Sequence, residues 1–211
     1  MSSVIDSRAD NTLDHVLLVE YQTNMKRLAL GCALLLLLAG AIGLGWWHQG
    51  WLERSQDGPI RAAARRYGVD PALIKAVVWR ESRFHPGVRG RAGEIGLMQI
   101  QELAAQEWAD SEHVSTFKHE QCFNPVTNTL AGAYYLKKLL HRYRQTDDPV
   151  PYALADYNAG RGNLLKWTNG PAATNSAAFI EQIGFPGTRS YVQAVMGRCA
   201  KYRPEFREET R

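Results

Sequence analysis

The sequence predicts an all-α fold in which one helical domain follows a single N-terminal hydrophobic helix. An uncharged run extends over residues 28–52. Beyond it, the chain contains Asp-Pro and Asn-Pro pairs that start helices and glycines that end them, and no segment alternates polar and apolar residues long enough to predict a strand. The 211 residues are 45% hydrophobic and 22% charged, which excludes a disordered chain and allows one domain with a packed core.

The first predicted element is the helix formed by the uncharged run. Twenty consecutive residues, 28–47, are Leu, Ala, Gly, Ile, Cys or Trp, and a helix of that length spans about 30 Å, the thickness of a bilayer core. Lys26 and Arg27 precede the run and tryptophans cluster at its far end. The positive-inside bias therefore predicts an acidic cytoplasmic segment over 1–25, a membrane signal-anchor over 26–52 and export of the remainder.

A cleaved signal peptide is the alternative to an anchor. Read from Met25 instead of Met1, the segment has a basic start, an apolar run and a small-residue cleavage motif that ends at Ala41. The apolar run continues past this motif, which favours an anchor. Both alternatives export the domain to an oxidising compartment, where Cys122 and Cys199 either form a disulfide or stay two separate buried thiols.

The exported part is predicted to be a linker over 53–58, one helical domain over 59–203 and a charged tail over 204–211. Pro59 suits the first position of a helix and Gly68 its end, Asp70 caps the next helix, Thr188 caps the last one and Pro204 stops it. A loop rich in Gly and Arg follows the second helix. The predicted helices cover residues 59–67, 71–83, 101–109, 125–144, 152–157, 163–167 and 188–204.

The second of these helices carries a carboxyl group on the side that should face the core. Ile74, Val77, Val78 and Glu81 stand at positions i, i+3, i+4 and i+7, whereas Lys75 falls on another face. An apolar setting raises the pKa of a carboxyl group, and an acid still protonated near neutral pH suits general-acid cleavage of a glycosidic bond. The alternative is a glutamate at a helix end that pairs with a neighbouring arginine in water.

Four blocks of sequence support the first interpretation: 81–86 (ESRFHP), 93–100 (GEIGLMQI), 155–160 (ADYNAG) and 185–192 (FPGTRSYV). In this order and at these separations they resemble the soluble lytic transglycosylase domain of glycoside hydrolase family 23, over roughly residues 59–203. The resemblance implies a lysozyme-like helical fold. It also implies cleavage of the β-1,4 bond between N-acetylmuramic acid and N-acetylglucosamine, with a 1,6-anhydromuramic product and no cofactor or metal.

The resemblance also implies site residues. Glu81 matches the single catalytic acid/base of the family. Five further positions match residues that line the substrate groove or lie beside the acid: Met98, Gln99, Tyr157, Asn158 and Tyr191. Met98 is alternatively a core residue.

Three places depart from the family pattern. Gly90 stands nine residues after Glu81, where the family usually has Ser, so one polar contact to substrate is expected to be missing. Residues 101–104 read QELA where Pro-x-Thr-Ala is usual. Glu94 stands where the pattern is apolar or small, and we interpret it either as a solvated loop charge paired with a neighbouring arginine (Arg89 or Arg91) or as a second carboxylate of the site.

The leading hypothesis is a bacterial peptidoglycan lytic transglycosylase, anchored in the inner membrane with its catalytic domain in the periplasm. One alternative is a goose-type lysozyme hydrolase in which Glu94 holds a water molecule. Another is an anchored murein-binding assembly module with little catalysis. Nucleic-acid binding is excluded because the arginines of this exported domain lie on separate elements without interleaved aromatic residues. The sequence leaves open the choice between general wall remodelling and a local role in a secretion, conjugation or flagellar apparatus.

Overall fold

The structure is a computed structural model that describes residues 6–207. Residues 1–5 and 208–211, the outer parts of the predicted N-terminal segment and C-terminal tail, lie outside the described residues. The chain divides into two compact units, with the boundary in sequence between Trp51 and Leu52. Within 6–207 the secondary structure consists of helices, together with isolated β-bridges, and contains no strand. The predicted all-α fold is therefore confirmed.

The N-terminal helix, α1, extends over Asp6–Ser55 and contains the uncharged run. The side chains of residues 28–47 are exposed along their whole length. By length and composition, with a mean hydropathy of 2.4 in its most apolar window, the region is able to cross a membrane. A signal sequence meets the same criterion, so both alternatives drawn from the sequence agree with this helix.

The second unit is a helical bundle. Within residues 6–207, eight α-helices follow α1: α2 Asp57–Tyr67, α3 Pro71–Ser82, α4 Glu102–Ser111, α5 Pro125–Arg142, α6 Pro149–Ala159, α7 Arg161–Leu164, α8 Ser176–Gln182 and α9 Pro186–Arg207. Short 3₁₀ helices cover His119–Phe123, Leu165–Trp167 and Gly170–Ala173. The bundle is built around α3, which packs against α9 and α2, while α5 packs against α2, α4 and α6.

Several helix ends follow the local signals read from the sequence. The Asp70 carboxylate caps α3 by accepting from a backbone N–H at 2.8 Å, and Asn124 caps α5 in the same way at 2.9 Å. Gly68 ends α2 in the left-handed conformation, with φ of 68°. These ends were predictable because each one depends on residues adjacent in sequence.

Predicted boundaries of α2, α6 and α9 are wrong. The helix predicted over 152–157 begins three residues earlier, at Pro149, and ends at Ala159. The first turn of α2 begins at Asp57, so Pro59 stands at its third residue rather than its first. Because α9 begins at Pro186, Thr188 lies inside the helix and is not its cap. Pro204 does not stop α9, which continues to Arg207. The proline and the residue four positions before it are both exposed, so the carbonyl that loses its helix partner lies at the surface, where its loss of a donor is tolerated.

The central helix α3 is buried nearly all round, which the sequence did not predict. Lys75, expected on a polar face, is 1% exposed. Its Nζ lies 2.8 Å from a carboxylate oxygen of Asp57 and 2.8 Å from one of Glu205, and 4.9 Å from the centre of the Tyr202 ring. A buried ammonium is tolerated here because the start of α2 and the end of α9 both bring counter-charges to it.

Of the two alternatives for the cysteines, the structure has the separate thiols. Cys122 and Cys199 are both free and buried. Burial raises the pKa of the Cys122 thiol to about 12, so it remains an unreactive thiol that packs as a small apolar group.

A buried asparagine connects α5 to the loop that follows α3. The Asn128 side chain, fully enclosed, accepts from the N–H of Met98 at 2.7 Å. Its amide nitrogen donates to the carbonyls of Ile95 and Cys122, both at 2.8 Å. One side chain therefore partners three backbone groups outside the helices, and of these the Ile95 carbonyl also accepts from the N–H of Ile100 at 3.1 Å.

We expect Asn128→Ala to lower the free energy of unfolding by about 3–5 kcal/mol, because the Met98 N–H and the Cys122 carbonyl lose their partner and the Ile95 carbonyl loses one of two. Asn124→Ala, the matched control on the same helix, removes only an exposed cap and should cost about 1 kcal/mol. Urea unfolding of the detergent-solubilised protein, followed by circular dichroism, measures both. Equal losses in the two variants would contradict the role of Asn128.

Candidate active site

A cleft of about 320 Å³ runs along one side of the bundle between α6 and the loop over residues 87–100. Five of the residues singled out in the sequence line it: Glu81, Glu94, Gln99, Tyr157 and Asn158. They come from three separate parts of the chain, and the fold brings them to one place.

The carboxyl group of Glu81 stands in the last turn of α3 and faces the cleft. Its Oε1 accepts a hydrogen bond of 2.6 Å from the hydroxyl of Tyr191. Burial raises the pKa of Glu81 to about 7; the bond from Tyr191 and the charge of Arg80 act against this rise, and the charge of Glu94 adds to it. At neutral pH the group is therefore present in both protonated and ionised forms.

Tyr191 is buried in α9, and its hydroxyl stays protonated as the hydrogen-bond donor to Glu81. Burial, with the nearby charge of Glu81, raises the pKa of its hydroxyl well above the usual value, so the proton stays on the phenol. The guanidinium of Arg80 lies 5.5 Å from the centre of the Tyr191 ring, over its face. The donor that contacts the acid is thus uncharged, and the nearby cation lies over the ring of that donor.

Tyr157 lines the cleft with Glu81, as the resemblance implies, whereas Met98 follows the alternative of a core residue. The Tyr157 hydroxyl donates to the Met98 carbonyl at 2.8 Å rather than to Glu81. The Met98 side chain is fully buried and packs against Gly132, where a Cβ atom would collide with it. Met98 is therefore a core residue beneath the wall, and its backbone rather than its side chain supports the cleft.

Asn158 is oriented by a residue that sequence reasoning assigned to a helix cap. The hydroxyl of Thr188, buried in α9, donates to Oδ1 of Asn158 at 2.8 Å. Because the oxygen is occupied, the amide nitrogen of Asn158 remains as a donor at the cleft. Thr188 lies in the FPGTRSYV block, so the sequence indicated that it belongs near the site. The sequence did not indicate that its partner would be Asn158 on α6.

Gln99 closes the loop that forms the opposite wall. Its backbone is left-handed, with φ of 46°, and its amide nitrogen donates to the carbonyls of Val88 at 3.1 Å and Gly96 at 2.9 Å. The side-chain nitrogen is thus used within the loop, and Gln99 shapes the wall.

Glu94 faces the cleft from the same loop. Its Oε2 accepts from the N–H of Ala92 at 2.8 Å. The expected pairing with Arg89 is wrong, since that guanidinium lies 3.7 Å from Glu120 instead. Within residues 6–207, Glu94 forms no ion pair with Arg91 or any other cation.

The family model of the transglycosylase SLT domain matches residues 58–180. The chain belongs to this family. Over 108 residues it is 38% identical to membrane-bound lytic murein transglycosylase F of Desulfosudis oleivorans, covering 50% of this chain and 22% of that protein. Over 137 residues it is 33% identical to the soluble lytic murein transglycosylase of Salmonella typhimurium, covering 64% and 21%.

Comparison with solved structures shows that the fold, as well as the sequence, is similar to that of lytic transglycosylases. An inactive variant of the lytic transglycosylase Slt from Pseudomonas aeruginosa superposes with a TM-score of 0.64 at 27% identity, covering 70% of this chain and 24% of that one. The lysozyme-like fold expected for the SLT domain is thereby confirmed. The chain spans about a fifth of the length of the curated relatives it matches.

A third carboxyl group of this SLT domain, Asp156, also lines the cleft and was missed as a site residue. It is 2% exposed and is paired with Arg142 at 2.6 Å and with the hydroxyl of Tyr143 at 2.6 Å. Its charge is thus compensated beneath the cleft. Among the described residues no group of His, Cys, Asp and Glu side chains is arranged to hold a metal ion.

We expect Glu81→Gln to stabilise the protein at pH 8 but not near pH 4.5. The folded-state pKa of about 7 exceeds the usual glutamate value of 4.5, so the wild type loses stability as pH rises through that interval. Above it, the buried charge costs on the order of 3 kcal/mol. Glutamine keeps an acceptor for Tyr191 and carries no charge. Urea unfolding at both pH values measures the difference.

The control is Glu181→Gln, the same change at an exposed position on α8, which should alter stability equally at both pH values. A gain for Glu81→Gln that does not depend on pH would show that Glu81 ionises normally in the folded protein.

Proposed function

We propose that this chain is a lytic transglycosylase of peptidoglycan that cleaves the β-1,4 bond between N-acetylmuramic acid and N-acetylglucosamine. The observation that carries the proposal is the cleft carboxyl of Glu81, whose pKa of about 7 suits both giving and accepting a proton. Membership of the SLT domain family supports it, as do relatives named as lytic murein transglycosylases.

The proposed reaction uses one carboxyl group twice. Protonated Glu81 gives its proton to the glycosidic oxygen as the C1–O bond breaks. The resulting carboxylate takes the proton of the muramic acid C6 hydroxyl while O6 bonds to C1, giving the 1,6-anhydro ring. The acid is restored and no water is consumed. Because Tyr191 occupies Oε1, Oε2 is the oxygen available for both proton transfers.

The neighbouring neutral groups would position the sugar. The free amide nitrogen of Asn158, held in place by Thr188, suits the carbonyl of an acetamido group. Gln99 and Tyr157 shape the two walls, and both are uncharged, so they do not drive Glu81 towards its ionised form.

The mass of the products tests this function. Purified peptidoglycan incubated with the full-length protein should release muropeptides lighter by one water than the corresponding reducing-end products. Glu81→Gln should lower the rate at least about 100-fold, the usual scale of a lost general acid, while Glu181→Gln should leave it unchanged. Reducing-end products would instead indicate the hydrolase alternative, with Glu94 holding a water, and undiminished digestion by Glu81→Gln would disprove the role of Glu81.

We further propose that α1 anchors the enzyme in the bacterial inner membrane with the SLT domain in the periplasm. The uncharged stretch of α1 is long enough to span a bilayer, and Lys26 and Arg27 precede it on the side expected to stay in the cytoplasm. A relative named membrane-bound agrees with this placement.

Fractionation of cells that express the full chain distinguishes a membrane anchor from a cleaved signal peptide. An anchored protein should sediment with membranes, resist extraction with salt and dissolve in detergent. Release by osmotic shock, together with a mature N-terminus just after Ala41, would show that the segment is a signal peptide.

A further inference from the structure

Gly90 is required by space rather than by backbone conformation. The glycines of the same loop at 93 and 96 have φ of 91° and 79°, a region that favours glycine, whereas Gly90 is not among the residues with positive φ. A Cβ atom at Gly90 would lie 2.6 Å from both Cδ and Oε2 of Glu94 and 2.8 Å from Oε1 of Gln99. The Glu94 carboxylate therefore occupies the space into which a side chain at position 90 would project.

The loop holds the two residues against each other. The N–H of Gly90 donates to the Glu94 carbonyl at 2.7 Å, and the N–H of Gly96 donates to the Val88 carbonyl at 2.8 Å, which forms a tight turn. Within this turn the N–H of Ala92 fixes Oε2 of Glu94 at 2.8 Å. Among residues 6–207, the other oxygen, Oε1, accepts no hydrogen bond.

The charge of Glu94 also distinguishes it from the other carboxyl groups of the cleft. Asp156 is neutralised by Arg142 at 2.6 Å, and Glu81 shares its Oε1 with Tyr191. Glu94 has neither an ion pair nor a tyrosine donor within the described part of the chain. An acceptor that is held rigidly, faces the cleft and lacks an internal partner is suited to bind a donor of the substrate.

We propose that Gly90 and Glu94 form a unit in which Glu94, taking the place of a side chain at position 90, binds a hydroxyl or acetamido N–H of the glycan. This inference rests on the proposed function, because it takes a glycan as the occupant of the cleft. It makes Glu94 a substrate-binding residue and Gly90 the residue that creates the room for it. The polar contact expected to be missing at position 90 is supplied from position 94.

Four variants of the full-length protein test the unit: Glu94→Ala, Glu94→Gln, Gly90→Ser and the double variant Gly90→Ser/Glu94→Ala. We expect Glu94→Ala to raise KM for peptidoglycan about tenfold, the scale of one lost hydrogen bond to a charged group, with a smaller change in kcat. Glu94→Gln keeps the shape and an acceptor and should lose less. Gly90→Ser should be as impaired as Glu94→Ala, because the serine displaces the carboxylate.

The double variant provides the sharpest prediction. With the carboxylate removed, the serine hydroxyl enters the vacated space, so the double variant should have a lower KM than Gly90→Ser alone. A double variant no better than Gly90→Ser, or an unchanged KM in Glu94→Ala, would overturn the proposal. Glu181→Gln serves as the unaffected control, and thermal unfolding of each variant identifies any loss caused by misfolding.

A binding measurement separates this inference from the proposed reaction. In a Glu81→Gln background, calorimetry with a β-1,4-linked N-acetylglucosamine tetrasaccharide should show about tenfold weaker binding after Glu94→Ala. Weaker binding combined with reducing-end products from the active protein would support the role of Glu94 while rejecting the transglycosylase reaction. Unchanged binding combined with anhydro products would reject the role of Glu94 alone.

Discussion

The cleft depends on placing a carboxyl group at the end of a helix that is otherwise packed on nearly every side. Burial of α3 raises the pKa of Glu81, and the same burial requires the chain to leave the helix abruptly. Arg83 and Phe84 accomplish this with two successive left-handed residues, at φ of 53° and 67°. Such residues cost on the order of 1 kcal/mol each. The fully buried Phe84 ring offsets part of that cost by joining the core immediately after the turn.

The wall opposite α6 is held by hydrogen bonds rather than by regular secondary structure. The loop over 87–100 has isolated bridges between Ile95 and each of Arg89 and Ile100, too few to be rigid on their own. Asn128 supplies the remaining stability from α5. Gly96 permits this contact, because a Cβ atom there would collide with the Asn128 side chain. The position of the loop is thus determined by α5, a helix that contributes only Tyr135 to the lining of the cleft.

How much of this could be predicted from sequence depends on how far apart the interacting residues are. The caps at Asp70 and Asn124 and the stop at Gly68 are local, and they were predictable. The short helix α8 and two of the 3₁₀ segments, His119–Phe123 and Gly170–Ala173, were missed because they are too brief to show a hydrophobic period. The third, Leu165–Trp167, lies within the helix predicted over 163–167. Lys75 was misplaced because its partners Asp57 and Glu205 lie on two other helices, and a pattern within one helix cannot show what covers it.

The same limit applies to the site. The stripe of α3 indicated Glu81 as a desolvated acid, and the four sequence blocks indicated which side chains would gather around it. Neither the stripe nor the sequence blocks indicated which of these side chains contact each other. The Tyr157 hydroxyl reaches the Met98 carbonyl 59 residues away, and Tyr191 reaches Glu81 across 110 residues. Residue types and their spacing therefore predicted the composition of the cleft, while the pairing required the fold.

That pairing explains why the acid retains a proton near neutral pH. A cation in direct contact with Glu81 would stabilise the carboxylate and lower its pKa, which would remove the proton that the proposed reaction needs. The structure places Arg80 over the face of the Tyr191 ring and lets the uncharged phenol make the contact. A phenol bond favours the ionised form less than an ion pair would, so burial remains the larger effect. A single carboxyl group can then give up a proton and recover it, because neither form is held too strongly.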